Sequence, residues 1–415
     1  MPEPVTPDTI VIYGSGPAGA ALVLALLEAG LPNSALRWFV EAAPDQARTA
    51  MPEARYIALH EGSRNLLTQL GVWTDLAEVA FPMQRIRITD TSLEDFIRPD
   101  LLGFMPEDET TPLAHLVPLD RLAACLTAAC HRHGVTPQRI RVEGLEMGRD
   151  RAILRFRDSD NQPHEQDAAL IAAADGARSR LRMLAGIPVH GWPYDQTAIV
   201  ATIRHSLDHE GEGLQHFLPA GPFALLPLDA GRSSVVWSES RGEADRLLRD
   251  GMPALLAGIR QRAAGRRGDI TALEAFTSHP LQMRLARRFV SGRLALVADA
   301  AHVVHPLAGQ GLNLGFADAA MLAELIVDRL RLGLDPGAPD MLEAYQAARR
   351  PPAVAMATTT EGINRLFSRS SGLLRIVRDL GVGLVERAPR LKAMLIAQAA
   401  GTDRQAPKLM RGEAL

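Results

Sequence analysis

Cysteine is nearly missing from the chain: Cys125 and Cys130 are the only two in 415 residues. Five positions apart on one expected helix, they fall on different faces and match neither a redox nor a zinc pair, so both read as small core residues of a reducing compartment. Aromatic residues are also scarce, and four tyrosines and four tryptophans make no base-stacking surface. With 45 basic residues against 48 acidic ones and a net charge of −3, no global field exists to hold nucleic acid. No window reaches the ~18 consecutive apolar residues of a membrane span, since the run from Ala18 to Ala29 is interrupted by Glu28. The residues from Met1 to Thr9 carry neither the basic start nor the apolar stretch of a secretory signal. The expectation is a cytoplasmic protein whose membrane contact, if it has any, is peripheral. There is no G-x-S-x-G elbow and no P-loop, which removes the usual hydrolase and nucleoside-triphosphatase readings. No internal repeat, low-complexity tract or long linker appears.

What is present is a chain 47% apolar, long enough for two domains or for one large domain with an elaborated second layer. Thr9 to Tyr13 reads as a buried strand, Gly14-Ser-Gly-Pro-Ala-Gly19 as a G-x-G-x-x-G turn, and Ala20 to Gly30 as an apolar helix with a glycine cap. A second strand, Leu36 to Glu41, ends in an acid about 20 residues beyond the last glycine, where a dinucleotide fingerprint expects one. Gly14, Gly16, Pro17, Ala18 and Gly19 would let a helix N-terminus meet a pyrophosphate, and Glu41 would accept hydrogen bonds from an adenosine ribose.

Farther along, Ser63 to Leu70 and Val117 to Gly134 read as helices, Phe81 to Thr91 as a strand, and Arg139 to Phe156 as a hairpin turning at Gly148 to Arg151. Ala169 to Gly176 is a strand ending in Asp175-Gly176, after which Arg178, Ser179 and Arg180 open a helix to Leu184. From Gly191 to Leu281 the pattern changes to an inserted, mostly antiparallel sheet: Thr197–His205, Leu214–Leu218, Phe223–Leu228 and Ser233–Ser240, with helices near Glu243 to Arg249 and Pro253 to Ala264. Leu294 to Val297 is a short buried strand with Asp299 at its end, followed by Gly309, Gly311 and Asn313 and a helix from Leu314 to Leu330. Later the chain is helical, with Arg350-Pro-Pro-Ala breaking or kinking one helix and Gly381, Gly383 and Pro389 ending others.

Asp299, His302 and His305 have close spacing, but a strand-to-glycine-loop junction does not hold them on one face and no fourth ligand is evident, so no metal is expected. No protein nucleophile stands out, so a cofactor carries the chemistry. A nicotinamide dehydrogenase needs only the first glycine turn, whereas FAD is long enough to need both: adenosine pyrophosphate at Gly14 to Gly19, ribitol near Asp299, and the ring over Pro306 to Asn313. N–H groups at the start of the helix that follows this loop would stabilise negative charge on a reduced flavin.

Together these stretches resemble a family. Gly14 to Gly19, Asp175-Gly176-Ala-Arg178-Ser179, and Asp299 to Asn313 through Gly309-Gln310-Gly311-Leu312 look like the three fingerprints of aromatic hydroxylases with the para-hydroxybenzoate hydroxylase fold. Trp192-x-Tyr194-x-Gln196, His216-Phe-Leu-Pro, Gly221 to Pro227 and Ser234 to Trp237 are similar to the ubiquinone-biosynthesis hydroxylases within it. So are Phe367-Ser368, Arg375-x-x-Arg378-Asp379, Pro389-x-Leu-Lys392 and Ala399-Ala-Gly401. The likeness runs from about residue 9 to 401. It implies an α/β fold: a Rossmann-like FAD-binding domain with a parallel sheet (1–80, 112–190 and 280–345), an antiparallel substrate domain (81–111 and 191–279), and a helical C-terminal region (346–415). It implies FAD held without a covalent link, NADH or NADPH as reductant, and O2 used to hydroxylate a polyprenylated phenol in ubiquinone biosynthesis. By the family's pattern, Arg55, Asp175 and Arg178 join the cofactor residues. The base that assists deprotonation of the phenol is not identified by the sequence; His216, Tyr194 and His302 are candidates. Two alternatives stand beside the hydroxylase: a flavin oxidoreductase acting on another lipid or aromatic substrate without oxygen insertion, and a flavin-bound scaffold of a quinone-biosynthesis complex. The basic and apolar mixture from Leu373 to Leu395 suggests a peripheral membrane or complex contact. The sequence departs from the pattern at Ala298 and Leu119, where Gly and Asn are usual, and at Glu53 and His60, where Asp and Ser are typical.

Overall fold

The computed structural model describes residues 9–42, 55–90, 100–104, 111–306, 309–368, 403 and 405–415. The chain opens with β1 (Ile10–Tyr13), whose four residues are all buried, and α1 (Pro17–Glu28), which is buried from Ala18 to Leu27. There follow β2 (Leu36–Glu41), β3 (Tyr56–Leu59), α2 (Glu61–Gln69), α3 (Trp73–Ala77), β4 (Phe81–Met83), β5 (Arg85–Asp90), β6 (Asp100–Phe104) and β7 (Ala114–Pro118). The expected helix from Val117 starts only at α4 (Leu119–Arg132), because Ala114 to Pro118 is drawn into a strand between β3 and β4 and Pro118 serves as the N-cap. Next come β8 (Gln138–Met147), β9 (Ala152–Arg157), β10 (Pro163–Ala168), β11 (Leu170–Ala173) and α5 (Arg180–Leu184).

The second half holds β12 (Val189–His205), β13 (Glu212–Leu218), β14 (Gly221–Pro227), β15 (Arg232–Ser240), α6 (Arg241–Asp250), α7 (Met252–Ala263) and β16 (Ile270–Ala286). It closes with β17 (Val290–Ser291), β18 (Leu294–Leu296), β19 (His302–Val303), α8 (Gly311–Arg331) and α9 (Pro339–Ser368). α9 is not broken at Pro351 and Pro352, which lie inside it. Residues 405–415 contain a 3-10 turn, Lys408–Arg411, with Leu409 and Met410 buried.

One eight-stranded sheet has the order β10-β9-β8-β2-β1-β11-β18-β17, parallel from β8 to β18, as a chain of βα units demands. A second has the order β19-β16-β12-β15-β14-β13-β5-β6 and is antiparallel except for β13 with β5. A three-stranded sheet, β3-β7-β4, lies apart. β12 and β16, each 17 residues long, bind the first two regions together: Val189 pairs with Ala286 at one end and His205 with Ile270 at the other. β16 was not expected from the sequence, where Pro280 sits mid-strand; it is tolerated opposite Thr197 beside a register shift in β12. Among the described residues no helix is long and apolar enough to cross a membrane.

Candidate active site

The first turn is shaped by its neighbour in the sheet. Gly14 has φ +149°, and a Cβ there would stand 2.0 Å from the carbonyl oxygen of Ala174, so only glycine lets β1 leave the sheet beside β11. Trp38 Nε1 donates to the Gly14 carbonyl at 2.9 Å and fixes it. Gly16 is the N-cap of α1 and Pro17 follows; among the described residues nothing beyond the chain neighbours lies within 4 Å of where a Gly16 Cβ would point. The turn is rigid on its sheet side and open on the other.

The second turn repeats the design. Gln310 caps α8, and among the described residues nothing outside the local backbone lies within 4 Å of the position a Gly311 Cβ would take. Neither α1 nor α8 has a side-chain cap or an acid in its first turn, so both N-termini keep their positive ends for an external anion or dipole. α1 packs on α8 through small residues, with Ala18, Ala298 and Gly315 meeting, which brings the two openings together.

Asp299 lies between them. It is exposed, yet surrounding protein desolvates its carboxyl and pushes its pKa above the usual range, against the pull of His302 and Arg55. His279, also exposed, is lowered in pKa by desolvation and by the same Arg55. Asp175 accepts N–H bonds from Arg180 (2.7 Å) and Leu181 (3.3 Å) at the start of α5, while its Oδ1 is buried without a partner. Burial raises its pKa despite those bonds. Arg178 is exposed beside it. Glu41 accepts the Tyr13 hydroxyl and remains exposed.

The Asn313 side chain is fully engaged by protein. Its Oδ1 accepts from Ser63 Oγ (2.7 Å) and the His60 N–H (3.2 Å), and its Nδ2 donates to the carbonyls of Ala58 (2.9 Å) and Gly309 (3.3 Å). The side chain is a strut that ties α8 to β3 and α2. Gln310 Nε2 lies 3.4 Å from His60 Nε2. His60 therefore stands at the N-cap of α2 within this brace, Leu119 is half-buried at the start of α4, and Glu53 lies outside the described residues.

The three candidate bases do not come together. Thr89, His216, Phe223, Trp237 and Ile199 form one row across the second sheet, on the face that α6 and α7 cover with Leu247, Leu255 and Ile259. His216 is held there by Thr89 and stacked on Phe223. The opposite face carries Gln196, Ala198 and His279. Tyr194 donates its hydroxyl to Glu361 at 2.5 Å, and burial followed by that bond raises its pKa, the wrong direction for a base. His302 is buried with Nε2 2.6 Å from Asp318. His305 turns elsewhere, toward Gln196 Oε1 at 3.3 Å, so Asp299, His302 and His305 do not converge.

Sequence reasoning missed four residues. Asp318, wholly buried, binds His302, the Ala298 N–H and Arg349. Arg182 donates to the carbonyls of Ala300 (2.7 Å) and Ala177 (2.9 Å), and Arg284 to Ala177 (2.9 Å), lashing the Asp175 loop to the Asp299 loop. The available signal was a charged residue inside an otherwise apolar turn, as in Phe316-Ala-Asp318-Ala-Ala.

Comparison with known proteins identifies the family. A family model described as an FAD binding domain matches residues 8–360. The chain is similar to a ubiquinone hydroxylase, UbiL, of Rhodospirillum rubrum, 37% identical over 412 residues, covering 97% of this chain and 92% of that one. It is similar to the 3-demethoxyubiquinol 3-hydroxylase of Escherichia coli, 32% identical over 409 residues, covering 95% and 99%. The fold is that of p-nitrophenol 4-monooxygenase PnpA from Pseudomonas putida, with a TM-score of 0.72 at 18% identity over 96% of this chain and 99% of that one.

Proposed function

Since the chain belongs to the FAD-binding-domain family, we propose that it is an FAD-dependent monooxygenase that hydroxylates the ring of a polyprenylated phenol in ubiquinone biosynthesis. The observation that carries this is the pairing of two helix N-termini without side-chain caps, α1 and α8, joined where Ala18, Ala298 and Gly315 meet, with Asp299 next in sequence to Ala298. The open sides of Gly16 and Gly311 fit a long dinucleotide laid across both turns.

In this reading the flavin activates dioxygen, and the chain binds, orients and excludes water. The N-terminus of α1, with Gly14, Gly16, Pro17, Ala18 and Gly19, takes the pyrophosphate, and Glu41 takes the adenosine ribose. Asp299 accepts hydrogen bonds from the ribityl hydroxyls. Pro306, Gly309, Gln310, Gly311 and Leu312 line the ring, with Asn313 bracing them through its side chain. Asp175 and Arg178 serve the pyrophosphate and the nicotinamide of NADH or NADPH, and Arg55 balances the charge of Asp299. Residues 1–80, 112–190 and 280–345 form the cofactor domain in this reading and 81–111 with 191–279 the substrate domain. The sheet face bearing Gln196, Ala198 and His279 then covers the substrate, and a polyprenyl tail favours a peripheral contact with a membrane surface.

The test is direct. Purified protein is expected to carry flavin absorbance or to take up added FAD, and to oxidise NADH or NADPH faster with a prenylated phenol present. Under labelled dioxygen the label enters the product. Colourless protein that takes up no FAD sinks the proposal; turnover without label in the product replaces it with a dehydrogenase.

A further inference from the structure

The turn that carries Asp299 is unfavourable for its own residue. Ala298 has φ +55°, a conformation that strains an L side chain and suits glycine. Two neighbours compensate. The Ala298 N–H donates to Asp318 Oδ2 at 3.0 Å, and the same carboxylate is anchored by His302 Nε2 at 2.6 Å and Arg349 Nε at 2.8 Å. On the other side, Gly315 leaves room for the alanine methyl: a Cβ at 315 would stand 2.6 Å from Ala298 Cβ, but 3.4 Å from Ala298 Cα and 3.6 Å from Ala18 Cβ. Inside α8, alanine is otherwise preferred over glycine, so the glycine at 315 answers the methyl at 298.

We infer that positions 298, 315 and 318 form one coupled unit in which Gly315 and Asp318 are positioning residues, holding the Asp299 turn in the conformation that receives FAD. This rests on the FAD reading above. If the methyl at 298 is removed, the constraint on 315 is lifted, and glycine at 298 holds the turn with less help from Asp318.

The experiment is a pair of double-mutant cycles, A298G with G315A and A298G with D318N. FAD affinity is read by fluorescence and the thermal midpoint is read on flavin-free protein. G315A alone is expected to weaken FAD binding roughly ten-fold or more and to lower the midpoint. A298G/G315A should return both to the A298G values, with the midpoint equal or higher because a helix interior has exchanged glycine for alanine. D318N should weaken FAD binding, and A298G should recover most of the loss; this second cycle serves if G315A does not fold. A neutral G315A, or a double variant as weak as G315A, overturns the inference. Coupling in the midpoints without coupling in FAD affinity overturns the positioning role and leaves the FAD reading standing. A wild type with no FAD affinity sinks the FAD reading itself, and the role toward FAD with it.

Discussion

Asp299 combines exposure with desolvation, and the pair of properties sets its energetics. Its folded pKa is raised, so the stability linked to it is fully present below the unfolded value and lost as pH rises through the folded value. Where the carboxyl of the unfolded chain is ionised, the desolvated site in the folded, flavin-free protein opposes folding. Asp299→Asn is therefore expected to raise the thermal midpoint without flavin at pH 7, with the difference shrinking toward pH 4. The same change should weaken FAD binding roughly ten- to hundred-fold by removing charge-assisted hydrogen bonds. A variant that lowers the midpoint and leaves FAD affinity intact would put Asp299 in a structural role. Asp318 has the opposite sign. Its pKa is lowered, with His302 and Arg349 outweighing its burial, so its contribution is present above the ordinary carboxylate range and is lost as pH falls through the folded value. Asp318→Asn should thus destabilise at pH 7 and progressively less below about pH 4, as read by urea unfolding at each pH.

Among the elements, α9 joins two anchors. Arg349 reaches Asp318 under the cofactor turn, while Glu361 and Asn364 reach Tyr194 and Gln196 on β12. Pro351 and Pro352 lie between them, and as prolines they leave the carbonyls of Ala347 and Ala348 without their helical donors. Pro351→Ala is expected to stabilise by about 2 kcal/mol, the interior proline penalty less the gain in unfolded-chain entropy, measured by urea unfolding. A loss of stability would mean that a bend at this point is needed for both anchors to reach. The helix also shows what sequence could and could not tell. β1, α1 and β2 were legible because burial period, glycine turn and terminal acid all lie within one short stretch. The joint fingerprints pointed to the family for the same reason. The interior of β16 was not, since Pro280 looks like a stop and is excused only by a bulge in β12. Nor were Asp318 and Arg349, whose partners lie 16 to 31 positions away and are chosen by how α8 and α9 cross. The parity that puts His216 on the face covered by α6 and α7, opposite Gln196, Ala198 and His279, depends on pairing through four other strands, which no local pattern encodes.

At the scale of the whole molecule, the α8 turn proposed to receive the cofactor is braced from outside by the last described residues. Leu409 and Met410 are each 3% exposed, and the segment is stitched to α2 by Asn65 to the Met410 carbonyl (3.1 Å) and Gln69 to the Gly412 carbonyl (2.8 Å). It is joined to α8 by Glu324, which accepts the Lys408 N–H at 2.8 Å. α2 in turn supplies Ser63, and its N-cap His60, to Asn313 at the start of α8. A continuous path of packing and hydrogen bonds thus runs from a surface segment to the helix end assigned to the flavin ring. The double variant Leu409→Ala/Met410→Ala removes the apolar grip while leaving the backbone acceptors, and is expected to lose about 4–6 kcal/mol of stability. If the path carries mechanical support, FAD affinity measured well below the lowered melting temperature should fall several-fold as α2 loosens. The expected signature is faster flavin release, because a looser brace lets the α8 turn open more often. Lower stability with unchanged FAD affinity and release rate would show instead that Ser63 and Asn313 hold the turn by themselves, and that the segment only covers the face on which it lies.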